Sequence, residues 1–273
     1  MLLIDTPAPP ANTMDKGKLI RYGDELYRAF VDREPVDSLT NREPGITIDD
    51  AYQIQLRMIQ RRLDMGETVI GKKIGVTSKA VQTMLNVFQP DFGQLLSGMA
   101  FNEGESVPAN TLIAPKAEAE VAFILKRDLN GPGVTAADVL RATDWVMPCF
   151  EIVDSRIRDW KIKIQDTVAD NASCGVFVLG GQAGDPRKLD LALAGMVLEK
   201  NGEIVSTSAG AAVQGSPVNA VAWLANTLGR LGIPLKAGEV ILSGSQSPLV
   251  PVAAGDNFHC SVGGLGSCSV RFV

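Results

Sequence analysis

Histidine is almost absent from this chain: the only one is His259. With a single imidazole there is little room for a Ser-His-Asp triad, and no GxSxG elbow occurs. His259 lies in Asn-Phe-His-Cys-Ser, a strand that alternates polar and apolar, and reads as a surface residue. The four cysteines (Cys149, Cys174, Cys260, Cys268) form no CxxC pair, which argues against disulfides or a zinc site and suits a reducing cytosol. Blocks rich in Lys and Arg are missing too. The net charge is −5 and the pI near 5.1, so neither nucleic acid nor an anionic membrane is an expected partner. No apolar run reaches the roughly 18 residues that would cross a bilayer. The glycine-rich stretches around Gly180 and Gly263 match neither a dinucleotide fingerprint nor a Walker loop; they read as turns and give nucleotide cofactors no support.

What is present is ample core material. Of 273 residues 45% are hydrophobic, with a mean hydropathy of +0.10, enough for one large domain or two small ones. Met1 to Asn12 holds three prolines and no periodicity; it lacks the regions of a signal peptide and is expected to be a disordered leader, with Met14 as an alternative start. Leu19 to Val31 has apolar residues at helical spacing, and Thr47-Ile-Asp-Asp50 resembles a capping box opening a helix to about Leu63. A short helix is expected from Ser78 to Leu85. Beyond it come strand-like runs from Val121 to Leu125, Trp145 to Val153, Val176 to Leu179 and Leu191 to Leu198, an Asn201-Gly202 hairpin turn, a helix from Ser216-Pro217 to about Leu231, and short strands near Val240, Phe258 and Val270. A helical first third on a β-rich body, with few βαβ units, predicts an α+β fold. The expected division is a leader (1–13) and one catalytic domain (14–273), its helical N-terminal subdomain (14–67) preceding a β-rich core (68–273).

Three carboxylates stand where burial is expected. In Lys116-Ala-Glu118-Ala-Glu120-Val-Ala-Phe-Ile-Leu125, strand alternation puts Glu118 and Glu120 on one face at one end of a run that becomes apolar on both faces. A solvated strand end is the alternative for that segment alone. Glu151, in Trp145-Val-Met-Pro-Cys-Phe-Glu151-Ile-Val-Asp154, shares its face with Met147, Cys149 and Val153. A lone buried carboxylate is costly unless paired, protonated or bound to a metal. Three of them make an all-oxygen site suited to Mg2+ or Mn2+, or else a structural salt-bridge cluster; spacing leaves both open.

These strings carry a resemblance. Gly71-Lys-Lys-Ile-Gly-Val-Thr-Ser78, Gln89-Pro-Asp-Phe-Gly93, Pro115-Lys-Ala-Glu-Ala-Glu120, Phe150-Glu-Ile-Val-Asp-Ser-Arg156 and Val168-Ala-Asp-Asn-Ala-Ser173 closely resemble the 2-keto-4-pentenoate (2-hydroxypenta-2,4-dienoate) hydratases of the fumarylacetoacetase-like superfamily. The likeness runs in order from about Met14 to Val273. It implies a mixed β-roll core, a Mg2+ or Mn2+ ion held by Glu118, Glu120 and Glu151, and a role in bacterial meta-cleavage of aromatic compounds. Lys73 is then the active-site lysine, Ser173 a further polar group of the site, and Lys72 a solvated neighbour in a variable position. Hydrolases of the superfamily use a His-based dyad, which this chain lacks before residue 259, so C–C hydrolysis is not implied.

The resemblance leaves a rival, the sister 4-oxalocrotonate decarboxylases, which share the glutamates, the lysine and the Val-Ala-Asp-Asn-Ala-Ser string. They tend to read Gly-Leu-Lys-Met-Gly where this chain has Gly-Lys-Lys-Ile-Gly, and to lack the acid at Asp91. Hydration needs a group that moves a water proton, and Asp91, expected on a loop within Gln89-Pro-Asp-Phe-Gly93, is the expected one; the alternative is an Asx-turn aspartate that merely shapes that loop. Val250 departs from the acid expected before Pro251. The expected substrate is a small anionic 2-keto or 2-hydroxydienoate acid, handled by a cytoplasmic homo-oligomer. Association with a 4-oxalocrotonate decarboxylase, even as a non-catalytic stabilising subunit, is a further implication.

Overall fold

A computed structural model describes residues 14–78, 82–83, 87 and 89–273. The leader expected before Met14, and most of the short helix expected after Ser78, lie outside them.

Three helices open the described chain: α1 (Lys16–Asp32), α2 (Leu39–Arg42) and α3 (Ile48–Asp64). Asp15 caps α1 by accepting from the Gly17 and Lys18 amides, and Thr47 and Asp50 close the expected capping box of α3. The apolar stripes of α1 and α3 face each other and bury Leu19, Tyr22, Leu26, Ile54 and Met58. Gly23 lets them approach, since a Cβ there would stand 2.5 Å from Arg57 Cβ. This pair seats on the β body through Ile157, Ile164 and Val168, and Gln55 Nε2 donates to the carbonyls of Phe92 and Val168.

The body holds two sheets. The larger comprises β1 (Val69–Gly75), β2 (Asp91–Leu96), β3 (Ala100–Asn102), β5 (Lys116–Leu125), β6 (Thr143–Val153), β7 (Cys174–Leu179), β10 (Val240–Leu242) and β11 (Val250–Pro251). Its order is β2-β1-β10-β5-β6-β7-β3, with β11 also paired to β5. The smaller, ordered β4-β13-β12-β8-β9, comprises β4 (Ser106–Val107), β8 (Gly195–Lys200), β9 (Glu203–Ala209), β12 (Asn257–Val262) and β13 (Gly266–Phe272). Most neighbours are antiparallel, while β1–β10, β3–β7 and β4–β13 run parallel, so the sheets are mixed. The sheets share one core, in which Phe150 meets Phe258 and Phe258 meets Phe272 edge-on at 6.2 and 5.8 Å. Asn201-Gly202 turns β8 into β9 with both residues at positive φ, as the sequence predicts.

Three more helices complete the fold: α4 (Ala136–Ala142), α5 (Ile164–Ala169) and α6 (Pro217–Gly229). α6 begins at its proline and packs Val221, Leu224 and Leu228 into the shared core. The expected α+β architecture is what is found, with the helical N-terminal third laid against a mixed, two-sheet β body. Among the described residues no helix is long and apolar enough to cross a membrane.

Candidate active site

The carboxylates are assembled by register. β5 and β6 run antiparallel with Glu118 directly opposite Glu151, and Glu120 lies two residues along the same face of β5. Glu120 and Glu151 are fully buried and Glu118 is half-buried. One oxygen from each lies within 4.8 Å of the others. Glu120 Oε2 accepts from the Gly244 amide at 2.9 Å. Its other oxygen, and both oxygens of Glu151, accept no hydrogen bond.

β1 carries the lysines, and alternation sends them to opposite faces. Lys73 turns toward the glutamates: its Nζ stands 3.1 Å from Glu151 Oε1 and donates to the Ala172 carbonyl at 3.0 Å. Lys72 was expected in solvent, but it is 3% exposed and pairs with Glu239 at 2.6 Å across the β1–β10 edge. Residues 71–74 of β1 are all buried, so both faces of the strand are covered and an ammonium on either must find an anion. Asp91 was expected on a loop and instead opens β2, opposite Gly75 and 2% exposed. A Cβ on Gly75 would lie 2.2 Å from Asp91 Oδ1 and 3.2 Å from Lys73 Nζ, so glycine is what lets acid and ammonium converge over β1.

Charge decides what this cluster can hold. Four carboxylates (Glu118, Glu120, Glu151, Asp91) against one ammonium (Lys73) leave −3 if all are ionised, in a largely dry place. Burial, reinforced by Glu151, pushes Glu118 up to about 8 despite Lys73. Burial with Glu151 and Glu118 raises Glu120 well above the usual range. Burial also raises Glu151 and Asp91, each against the pull of Lys73. Burial alone would lower the Lys73 ammonium, but Glu151 and Asp91 outweigh it and hold it well above an ordinary lysine. Carboxylate oxygens without hydrogen bonds, negative charge in excess and no nitrogen or sulfur donor in the trio are what a hard divalent cation requires.

Ser173 follows α5 and is next in the chain to Ala172, whose carbonyl accepts from Lys73. Its hydroxyl lies 3.1 Å from that of Thr167. Asn171, Ala172 and Ser173 all have positive φ, and none is glycine. This left-handed run aims the Ala172 carbonyl at Lys73. Two anchors hold it. Asn171 exchanges hydrogen bonds with the Gln94 backbone, accepting at 2.7 Å and donating at 2.9 Å. Arg156, 2% exposed, reaches the Asp170 carboxylate and the carbonyls of Asp154, Asp170 and Cys174. Sequence reasoning gave no role to Arg156, Asp170, Asn171 or Gly75. The available signal was an arginine and an aspartate inside the Phe150–Arg156 and Val168–Ser173 strings that carry the resemblance.

Next to Asp91 lies a cavity of about 400 Å³ between α3 and α5. His259 is remote on the small sheet, half-buried between the hydroxyls of Ser269 and Ser261. Val250 lies opposite Ala117, next to Glu118, and packs against the main core.

Residues 73–273 match the Fumarylacetoacetate (FAA) hydrolase C-terminal family. The chain is 60% identical over 260 residues to a 2-hydroxyhexa-2,4-dienoate hydratase of Comamonas testosteroni, covering 94% of this chain and 98% of the relative. It is 66% identical over 221 residues to a 2-hydroxypent-2,4-dienoate hydratase of Pseudomonas putida, covering 81% and 100%. Among solved structures it resembles 4-oxalocrotonate decarboxylase from Pseudomonas putida G7, complexed with magnesium and adipate, with a TM-score of 0.93, 37% identity, and coverage of 96% of this chain and 100% of that one. The same enzyme has also been solved with calcium and acetate.

Proposed function

The chain belongs to the fumarylacetoacetate hydrolase family, and we propose that within it the chain is a hydratase that adds water to 2-hydroxypenta-2,4-dienoate, giving 4-hydroxy-2-oxopentanoate, with Mg2+ or Mn2+ held by Glu118, Glu120 and Glu151. The observation that carries this reading is the convergence of three carboxylates, with oxygens of Glu120 and Glu151 left without hydrogen bonds, on Lys73 and Asp91 in one buried cluster. The much higher identity to hydratases than to the decarboxylase supports the choice of reaction.

A divalent cation bound there supplies Lewis-acid polarisation of a 2-oxo acid and a template for its carboxylate. The chain's own residues do the rest. Lys73 places a permanent positive charge where the substrate's carboxylate or enolate oxygen needs one, and its hydrogen bond to Ala172 and ion pair with Glu151 fix the ammonium in place. The dienol gives up its C2 hydroxyl proton as it takes a proton at C5, giving an enone conjugated through C3 and C4. Asp91 then removes a proton from water as its oxygen bonds to C4, and a proton delivered to C3 completes the net addition. Burial raises the Asp91 carboxyl and so makes its carboxylate a stronger base than an exposed aspartate's, which suits a group that must take a proton from water. Ser173 is assigned a hydrogen bond to substrate or water. Self-association, association with a 4-oxalocrotonate decarboxylase, a cytoplasmic place and a part in meta-cleavage catabolism belong to the same proposal.

The test is direct. Purified protein with Mg2+ should bleach the conjugated absorbance of 2-hydroxypenta-2,4-dienoate and yield the 4-hydroxy-2-oxo acid. Faster release of CO2 from 2-oxohex-3-enedioate would instead make the chain a decarboxylase.

A further inference from the structure

Two walls of the cavity beside Asp91 are pairs of side chains, each spaced i, i+4 and so each on one helix face: Ile48 and Tyr52 of α3, and Ile164 and Val168 of α5; Val87, Gln89 and Pro90 complete its described lining. The Tyr52 ring is fixed by stacking on Phe92, with centroids 4.4 Å apart and planes 15° from parallel. At about 400 Å³ the space is the size of a small-molecule site. Among its described lining residues the one charged group is Asp91, an anion. Asp91 is also where this cavity meets the Lys73 and glutamate cluster. A substrate whose 2-oxo acid end lies at Lys73 and whose reacting carbons lie at Asp91 therefore has its far carbons here.

We infer that α3 and α5 form an apolar tail subsite that selects 2-hydroxydienoates with an uncharged alkyl end, and that Ile48 is a specificity-determining residue for that end. The inference rests on the hydratase reading for the substrate's orientation. A terminal carboxylate in this space loses its water, gains no cation from the described walls and faces the Asp91 carboxylate. An alkyl end loses only unfavourable contact with water. Ile48 and Tyr52 precede residue 73, where the family match begins, so this wall comes from the N-terminal helices.

The experiment is a calorimetric titration of the Mg2+-loaded protein with three saturated acids, 2-oxopentanoate, 2-oxohexanoate and 2-oxoadipate, in wild type, Ile48→Arg and Ile164→Phe. Wild type should bind 2-oxohexanoate about fourfold more tightly than 2-oxopentanoate, the effect of one buried methylene, and at least roughly tenfold more tightly than 2-oxoadipate. Ile48→Arg should reverse the order of 2-oxohexanoate and 2-oxoadipate, and Ile164→Phe should abolish the gain from the added methylene. Equal affinities for all three acids in wild type would overturn the subsite, as would variants that keep the wild-type order. Hydration of the dienoates, followed in parallel, tests the underlying reading separately: the binding order with no hydration in wild type keeps the apolar subsite and removes the reaction assigned to it.

Discussion

Replacing Asp91 by asparagine should separate activity from stability. The carboxylate is 2% exposed, and one of its oxygens accepts no hydrogen bond. Burial raises its pKa, so the folded protein holds the ionised form at a cost the unfolded chain does not bear. Asparagine keeps the shape and an acceptor oxygen while removing the charge. Folding stability should therefore stay within about 1 kcal/mol of wild type or rise. Turnover should fall about 10²-fold, which is about 2.7 kcal/mol of barrier, because the amide cannot take the water proton. Three measurements decide it: the melting temperature, kcat on the dienoate, and a Mn2+ titration, which should show binding retained. If kcat and melting temperature fall together, Asp91 is structural. If kcat changes less than about threefold, another group moves the proton.

The two lysines of β1 should behave oppositely. Lys72→Met strands the buried Glu239 carboxylate and should lower stability by about 1–3 kcal/mol in urea titrations while leaving hydration near wild type; Lys73→Met should cut kcat at least about 10²-fold. Ala172→Gly relieves a left-handed alanine and should raise stability by up to about 1 kcal/mol; a loss would mean the methyl group makes packing that outweighs the strain. Deleting residues 1–13 and keeping Met14, whose amide donates to Asp50, should leave melting temperature and kcat unchanged, whereas a marked drop would show that the leader docks on the body.

Period-two alternation was enough to put Glu118, Glu120 and Glu151 on the right faces, because both strands sit inside a sheet and keep strict register. The same rule could show that Lys72 and Lys73 diverge but not which one meets the acids. Lys72 finds Glu239 only through the pairing of β1 with β10, a contact between distant segments that no local pattern records. Asp91 looked loop-borne because Gln-Pro precedes it, yet all six residues of β2 are buried. Gly93 in that strand lets Asn171 come close, since a Cβ there would lie 2.4 Å from the Asn171 carbonyl oxygen. The left-handed run at 171–173 escaped notice because no glycine flags it; tertiary bonds from Asn171 and Arg156 enforce it instead. Strands β3, β4 and β11 have three residues or fewer, too short to show a period. The Thr135 capping box of α4 was present in the sequence and overlooked.

The central claim is that three glutamates hold a divalent cation on which hydration depends. Protein stripped with chelator should be titrated with Mn2+ while bound metal and the rate of 4-hydroxy-2-oxopentanoate formation are followed together, for wild type and Glu151→Gln. The account predicts no turnover in stripped wild type, activity rising in step with one bound ion per chain, and a Glu151→Gln protein that stays folded but binds Mn2+ at least roughly tenfold more weakly. Full hydration by the stripped protein, or undiminished Mn2+ binding in Glu151→Gln, would contradict it.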